Sequence, residues 1–337
     1  MRTLALAFTA ILATSAASAQ QSVEDFYRSK PISFIIGTGE GGGYDFSSRL
    51  AAQYLGKFLP GNPTVIPRNM PGAGSIAAAE YVYSVAPKDG TTLAMFQPTF
   101  ILEKLNDPNR KYVSQDFTYI GRMDSATLVG LVWHTSPAQT IEEAKKTEVI
   151  LSANAAAGTS ATIPWALNRM IGTKFKVILG YNSSAAMGLA VERGEAFGNG
   201  STSWDYLLTK PDWFEGNKMK ILYVIALERF AKLPDVPTVL ELTNDQRNKN
   251  ALKLIASTSS VGRAIVAPPQ NEPTRTAALR QAYAAMMKDA TFQADADKRK
   301  LGVDPLDGKT LQGLVADVAT QPQDIVDLLK EMTLPPN

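Results

Sequence analysis

Apolar and polar positions along the chain follow two rhythms. Pro31 to Ile36 is a short apolar, β-rich run that passes straight into the glycine-dense Gly37-Thr38-Gly39-Glu40-Gly41-Gly42-Gly43, the pattern of a strand entering a tight loop. Beyond Asp45, the residues Phe46, Leu50, Tyr54, Leu55 and Phe58 are spaced four, four, one and three apart, which predicts a helix with one apolar face, ended by Gly61-Asn62-Pro63. The unit then recurs. Thr64 to Pro67 reads as a strand, Asn69 to Ser75 as a loop and Ile76 to Ala86 as a helix; Pro87-Lys88-Asp89-Gly90 turns into a strand over Thr91 to Phe96. Strand, glycine loop, helix and strand in that order require a parallel sheet with helical crossovers, so the fold class is α/β.

Leu128 to Trp133 predicts a strand near a domain crossing, and Val149 to Ser152 opens a second series of the same units. Its loop is Ala155 to Thr162, its helix Ile163 to Ile171 and its next strand Phe175 to Leu179. Gly180 to Ser184 forms a further strand-to-helix loop, the helix through Met187, Leu189 and Val191 stops at Gly194, and Phe197 to Ser201 is expected to follow a short strand. Ile221 to Leu227 and Ser260 to Ala267 read as strands, with a proline-stiffened connection at Leu233 to Thr238. Helices are expected over Arg275 to Asp289, Phe292 to Leu301 and Leu311 to Met332. No solenoid-type repeat is evident.

Composition narrows the chemistry. A chain of 337 residues with 45% apolar and 20% charged positions is globular and long enough for two domains. Lys and Arg number 34 against 32 Asp and Glu, so no positive surplus is available to neutralise a run of phosphates, and nucleic acid is not an expected partner. The absence of cysteine removes disulfides, thiolate nucleophiles and thiolate metal sites. The single histidine, His134, removes multi-histidine metal sites, and its place after an apolar run marks it as a strand-end residue. Arg2, the apolar stretch Leu4 to Ala17 and the small residues Ala17-Ser18-Ala19 form a secretory signal peptide over residues 1–19, cleaved after Ala19. Its 14 apolar residues fall short of the roughly 20 needed to span a bilayer. A periplasmic destination is expected.

The glycine loops carry the candidate function. A loop that leaves a parallel strand and opens a helix presents free backbone N–H groups where the helix dipole is positive, and glycine lets a ligand approach that backbone closely. Gly41, Gly42 and Gly43 before Tyr44-Asp45, and Gly72 and Gly74 flanking Ala73 before Ser75, suit a carboxylate. Gly158-Thr159-Ser160 and Asn182-Ser183-Ser184 place amide and hydroxyl groups at helix starts in the second half, where they serve as caps or as ligand donors. Gln97, Trp204 and Asp205 follow expected strands and are candidates for the far end of a site, while Arg49 and Arg68 are candidate helpers. Both first-half loops match dinucleotide fingerprints, yet the strand after the first ends in Arg68-Asn69, without the acidic residue that would hold a ribose. No Walker lysine and no G-x-S-x-G elbow is present. No cofactor, no metal and no catalytic residue is expected.

In these residues the chain resembles the Bug family, the exported receptors associated with tripartite tricarboxylate transporters. The resemblance is carried, in order, by Lys30-Pro31-Ile32, by Gly41-Gly42-Gly43-Tyr44-Asp45 with Arg49, by Asn69 to Gly74, by Pro87 to Leu93, and by Asp235-Val236-Pro237-Thr238 with Glu241. It implies a type II periplasmic binding protein: two α/β lobes, each around a mostly parallel sheet, with a ligand cleft between them. Residues 20–125 and 232–337 would form a discontinuous first lobe and 126–231 the second, hinged near Met123 to Thr127 and Leu227 to Leu233. It further implies a monomeric, non-enzymatic receptor that closes over a small carboxylate, with a dicarboxylate or an aromatic acid both open, and presents it to membrane transporter subunits. A sensor kinase as partner, or an exported enzyme on the same scaffold, is the alternative.

Overall fold

The computed structural model describes residues 21–335, so the expected signal peptide at 1–19 lies outside the described residues. The first part of the chain runs α1 (Val23–Ser29), β1 (Ile32–Ile36), α2 (Gly43–Leu55), β2 (Val65–Asn69), α3 (Ile76–Ser84), β3 (Thr92–Met95), α4 (Glu103–Asn106) and β4 (Thr118–Arg122). The middle part runs β5 (Leu128–Trp133), α5 (Ile141–Ala144), β6 (Val149–Ser152), α6 (Thr159–Ile171), β7 (Phe175–Ile178), α7 (Ser184–Glu192), β8 (Gly198–Ser203), α8 (Trp204–Leu208), α9 (Pro211–Phe214) and β9 (Met219–Ile225). The remainder is α10 (Gln246–Val261), β10 (Ala264–Ala267), α11 (Pro273–Lys288), α12 (Ala290–Lys298), β11 (Leu306–Asp307), α13 (Gly308–Ala319) and α14 (Gln323–Thr333).

These elements form two α/β lobes, one on a sheet of order β11-β4-β10-β3-β1-β2 and one on a sheet of order β7-β6-β8-β5-β9. In the first lobe, β1 shows why its sequence is apolar throughout: helices cover both faces of the strand. Ile32, Phe34 and Ile36 pack with Leu50 and Leu55 of α2 and Leu279 and Met286 of α11. Ile35, pointing the other way, joins Ile76, Ala79 and Val82 of α3. Each such side chain contributes about 1.5–3 kcal/mol by leaving water.

Strand register puts the functional loops together. Ile36 of β1 is level with Asn69 of β2 and with Met95 of β3, all parallel, so the loops after these strands leave one edge of the sheet. In the second lobe, Ser152 of β6 is level with Ile178 of β7 and with Asn199 of β8, again parallel. Such carboxyl-end edges are where open α/β sheets bind ligands. Both sheets are mixed, and the antiparallel strands do a specific job. Leu128, opening β5, pairs with Ser203 at the end of β8 and Ile225 at the end of β9. In the first lobe Ala264, opening β10, pairs with Arg122 at the end of β4. The chain thus leaves and re-enters each lobe at the edge that carries the loops. Gly262, at φ 54, makes the turn into β10, and a Cβ there would come within 2.2 Å of the Asp124 carbonyl.

Four local expectations are revised. Phe197 to Ser201 does not follow a strand but largely forms one, β8, which is buried throughout. Residues 246–259, unassigned from the sequence, and Ser260 and Val261, expected in a strand, form α10, capped by Asp245 and burying Leu252, Ile255 and Ala256, so that the strand begins only at Ala264. The helix after Gly158 begins at Thr159 and carries Pro164 in its second turn. The long C-terminal helix is two, because Pro322 lacks the N–H needed to continue α13. The second of these, α14, lies against α6 of the second lobe and α10, and Arg169 of α6 donates to the Met332 carbonyl at 3.0 Å.

Candidate ligand-binding cleft

Between the two loop-bearing edges lies a narrow cleft. The first lobe contributes Thr38, Gly42, Gly43, Tyr44, Gln97 and Pro98. The second contributes Leu128, Asn154, Thr159, Ser160, Ser183, Ser184, Met187 and Ser201 to Ser203. A small recess, lined by Gly37, Pro71 to Ser75, Gln97, Asn154, Ala155 and Asn182, adjoins it through the shared Gln97 and Asn154.

Hydrogen bonds hold the first-lobe loops to one another. The Ser75 hydroxyl donates to the Gly37 carbonyl at 2.9 Å and accepts from the Gln97 N–H at 3.0 Å, joining the loops after β1, β2 and β3. The Asp45 carboxylate accepts from the Gly41 N–H at 3.0 Å, from Arg49 Nε at 2.9 Å and from Asn69 Nδ2 at 2.9 Å. Asp45 therefore shapes the glycine loop from behind and is not among the cleft-lining residues. Arg49 is held by the same carboxylate and by Asn69 Oδ1 at 2.6 Å. In the second lobe, the Ser160 hydroxyl donates to Asn154 Oδ1 at 2.7 Å and accepts from the Asn154 N–H at 3.0 Å, while Thr159 and Ser201 hydroxyls lie 3.0 Å apart. Ser183 caps α7 by accepting from the Ala186 N–H at 3.2 Å.

The electrostatics suit an anion without a cation being present. Helices α2 and α6, each of 13 residues and from opposite lobes, start at Gly42 and Gly158, and neither has a side-chain cap. Their leading N–H groups have no side-chain partner and sit at the positive end of a helix dipole. Among the described residues, none with a charged side chain lines the cleft. Three buried hydroxyls that do line it, on Thr38, Tyr44 and Thr202, have no protein partner, and buried polar groups of this kind are usually paired. Burial pushes the Tyr44 phenol far above its ordinary range, so it stays protonated and able to donate.

Of the residues singled out in the sequence, the structure gathers Gly42, Gly43, Tyr44, Gln97, Thr159, Ser160, Ser183 and Ser184 in the cleft and Ala73, Gly74, Ser75 and Asn182 in the recess. Gly158 supplies the α6 N-cap, and its N–H lies 3.2 Å from where a Cβ on Gly74 would stand. Trp204 and Asp205 do not line the cleft. They fall on a separate groove, Trp204 packed edge-on to Phe214 and Phe230 and Asp205 ion-paired with Arg263. Thr38, Asn154 and Ser201 to Ser203 line the cleft without having been singled out. Among the described residues no His, Cys, Asp and Glu group has a metal-holding arrangement, and no helix is long and apolar enough to cross a membrane.

Two α/β lobes joined beside a donor-rich cleft are the architecture of a two-lobed binding protein, and solved structures share the fold. The chain superposes on the periplasmic binding protein BugD with a TM-score of 0.71 at 19% identity, covering 91% of this chain and 98% of that one. For a Rhodopseudomonas palustris protein with bound malate the TM-score is 0.69 at 17% identity, over 90% and 99% of the two chains. The TctC family, described as tripartite tricarboxylate transporter family receptor, matches residues 48–330, so the chain belongs to that family. It is also similar to a UPF0065 protein of Bordetella bronchiseptica, 29% identical over 245 residues, which is 71% of this chain and 70% of that protein.

Proposed function

We propose that this protein is exported, with its leader removed after Ala19, and that it captures a small organic carboxylate by closing its lobes and delivers it to a membrane transporter of the tripartite tricarboxylate type. The observation that carries the reading is the pair of uncapped helix starts, at Gly42 and Gly158, brought from opposite lobes to one cleft without charged side chains. A carboxylate there receives backbone N–H and hydroxyl donors from both halves, which offsets its desolvation. Affinity for the ligand then becomes preference for the closed arrangement, and a partner that reads that arrangement reads occupancy. Malate in a structural relative supports an acid of that size, and Pro98, Leu128 and Met187 supply apolar contact for its carbon chain.

Thermal-shift screening of the mature protein against mono-, di- and tricarboxylates and aromatic acids, followed by calorimetry, tests this. Saturation at about 100 times Kd raises stability by about 2.7 kcal/mol. Stabilisation by small carboxylates, and not by the matching amides, is the expected result. No shift with any acid, or turnover of one, overturns the reading.

A further inference from the structure

Behind the cleft lies a buried ionic cluster that the ligand loops leave unused. Arg263, immediately before β10, donates through Nη1 to Asp124 Oδ2 at 2.6 Å; its Nη2 donates to Asp205 of α8 and, at 3.3 Å, to the Ser203 hydroxyl. Asp124 belongs to the first crossing between the lobes and Asp205 to the second lobe, so the guanidinium ties all three parts of the hinge. Two cleft-lining residues touch it: Ser203 by that hydrogen bond, and Tyr44, whose ring centre lies 5.8 Å from the guanidinium carbon. A Cβ on Gly43 would stand 3.0 Å from Nη2.

The cluster is unbalanced in charge. One guanidinium serves two carboxylates, and with both ionised a negative charge remains out of water beside a cleft built for anions. Burial pushes the Asp124 carboxyl up to about 6, against the pull of Arg263, with Asp205 and Asp304 adding to the rise and Arg122 opposing it. The remaining charges nearby are the ion pair of Arg122 with Asp304 at 2.6 Å and Lys232, Asp297 and Lys300 on the groove that Asp124 and Asp205 also line. The Asp124 side chain is 14% exposed and reaches that groove, so a proton arrives from solvent without passing through the cleft.

We propose that Asp124 takes up a proton from solvent when a carboxylate ligand binds, so that the protein gains and loses the anion and the proton together. The inference rests on the carboxylate reading given above. A bound anion next to the cluster raises the cost of leaving Asp124 ionised and so favours its protonated form in the complex. By reciprocity, ligand affinity increases as pH falls toward 6 and decreases as pH rises above it.

Calorimetry of the mature protein with malate, adipate and benzoate, at about pH 7 in buffers of different ionisation enthalpy, measures the proton directly. The wild type is expected to take up a fraction of a proton per ligand and, after correction for each acid's own titration, to bind about threefold to tenfold more tightly at about pH 6 than at about pH 8. Asp124→Asn, neutral at every pH, is expected to show neither effect while binding at least as tightly as wild type at pH 8. A purely structural role for Asp124 would weaken binding at every pH and leave the uptake in place, and that result overturns the proposal. Carboxyl carbon NMR of the unmutated protein gives an independent check. One aspartate is expected to titrate near pH 6 and to move upward on saturation; no carboxyl titrating above about pH 5, or no movement, overturns the proposal. Binding without proton uptake removes the linkage alone, while binding of none of the acids removes the carboxylate reading with it.

Discussion

The N–H of Gly39 in the first lobe donates to the carbonyl of Asn182 in the second at 2.9 Å. The two glycine-bearing loops therefore meet across the mouth of the cleft, and a Cβ on Gly39 would lie 3.0 Å from that same carbonyl oxygen. Gly39→Val should hold the lobes apart. The expected outcome is an affinity loss of about tenfold or more, with the melting temperature of the ligand-free protein nearly unchanged, since the position is strained only when the lobes meet. Calorimetry and a larger radius of gyration by small-angle scattering in the presence of ligand check it.

Gly74 combines two constraints. Its φ of 67 is left-handed, and a Cβ would stand 3.2 Å from the Gly158 N–H on the other lobe. Gly74→Val should cost about 1–2 kcal/mol of stability through the backbone and abolish detectable binding by crowding the α6 helix start. His134→Ala is the matched control: the side chain is exposed beside Trp133, and affinity should stay within about twofold of wild type.

Ser75 joins three loops with one buried hydroxyl. Ser75→Ala leaves the Gly37 carbonyl and the Gln97 N–H without that partner, and should cost about 1–3 kcal/mol in urea unfolding. Because the loops then loosen at the site itself, binding should weaken more than the change in stability alone accounts for.

Asp124 also gives the fold a pH signature of definite sign. Its carboxyl titrates near 6 in the folded protein against 3.8 as the ordinary value, so between those limits the folded state binds more protons than the unfolded one. Stability from this group therefore falls as pH rises from about 4 through 6. Asp124→Asn should remove about 1 kcal/mol of the difference between pH 5 and pH 7 measured by urea unfolding. The carboxyls held below their ordinary range, such as Asp295 and Asp307, act in the opposite direction and at lower pH, outside this window.

Much of the fold was legible because its signals are local. Apolar runs such as Ile32 to Ile36 and Leu128 to Trp133 are covered on both faces and read directly as strands, and the glycines that mark the loops also build them. β8 was not legible because its burial comes from backbone rather than from large side chains. A Cβ on Gly198 would meet the Leu131 carbonyl at 2.1 Å and one on Gly200 the Ser160 carbonyl at 2.0 Å, so neighbouring main chain occupies the space that apolar groups normally fill. The cleft-lining Ser201 to Ser203 were hidden with it. Asp205 and Trp204 follow the right strand, but the chain turns away from the cleft there, and sequence order does not reveal which side of a crossing a short helix takes. Arg263 carried no local signal at all: its partners are 139 and 58 residues away in sequence.

The strands that carry the chain between the halves, β4 with β10 and β5 with β9, lie at one margin of each sheet's loop-bearing edge. Under the closure proposed above, a pivot there would leave the opposite margins, β2 and β7, to sweep the widest arc. A few degrees of rotation, small at the floor, becomes a large change of outline at those two outer strands. A docking surface that grips both at once would act as a caliper, sensing whether the jaws are full without touching their contents.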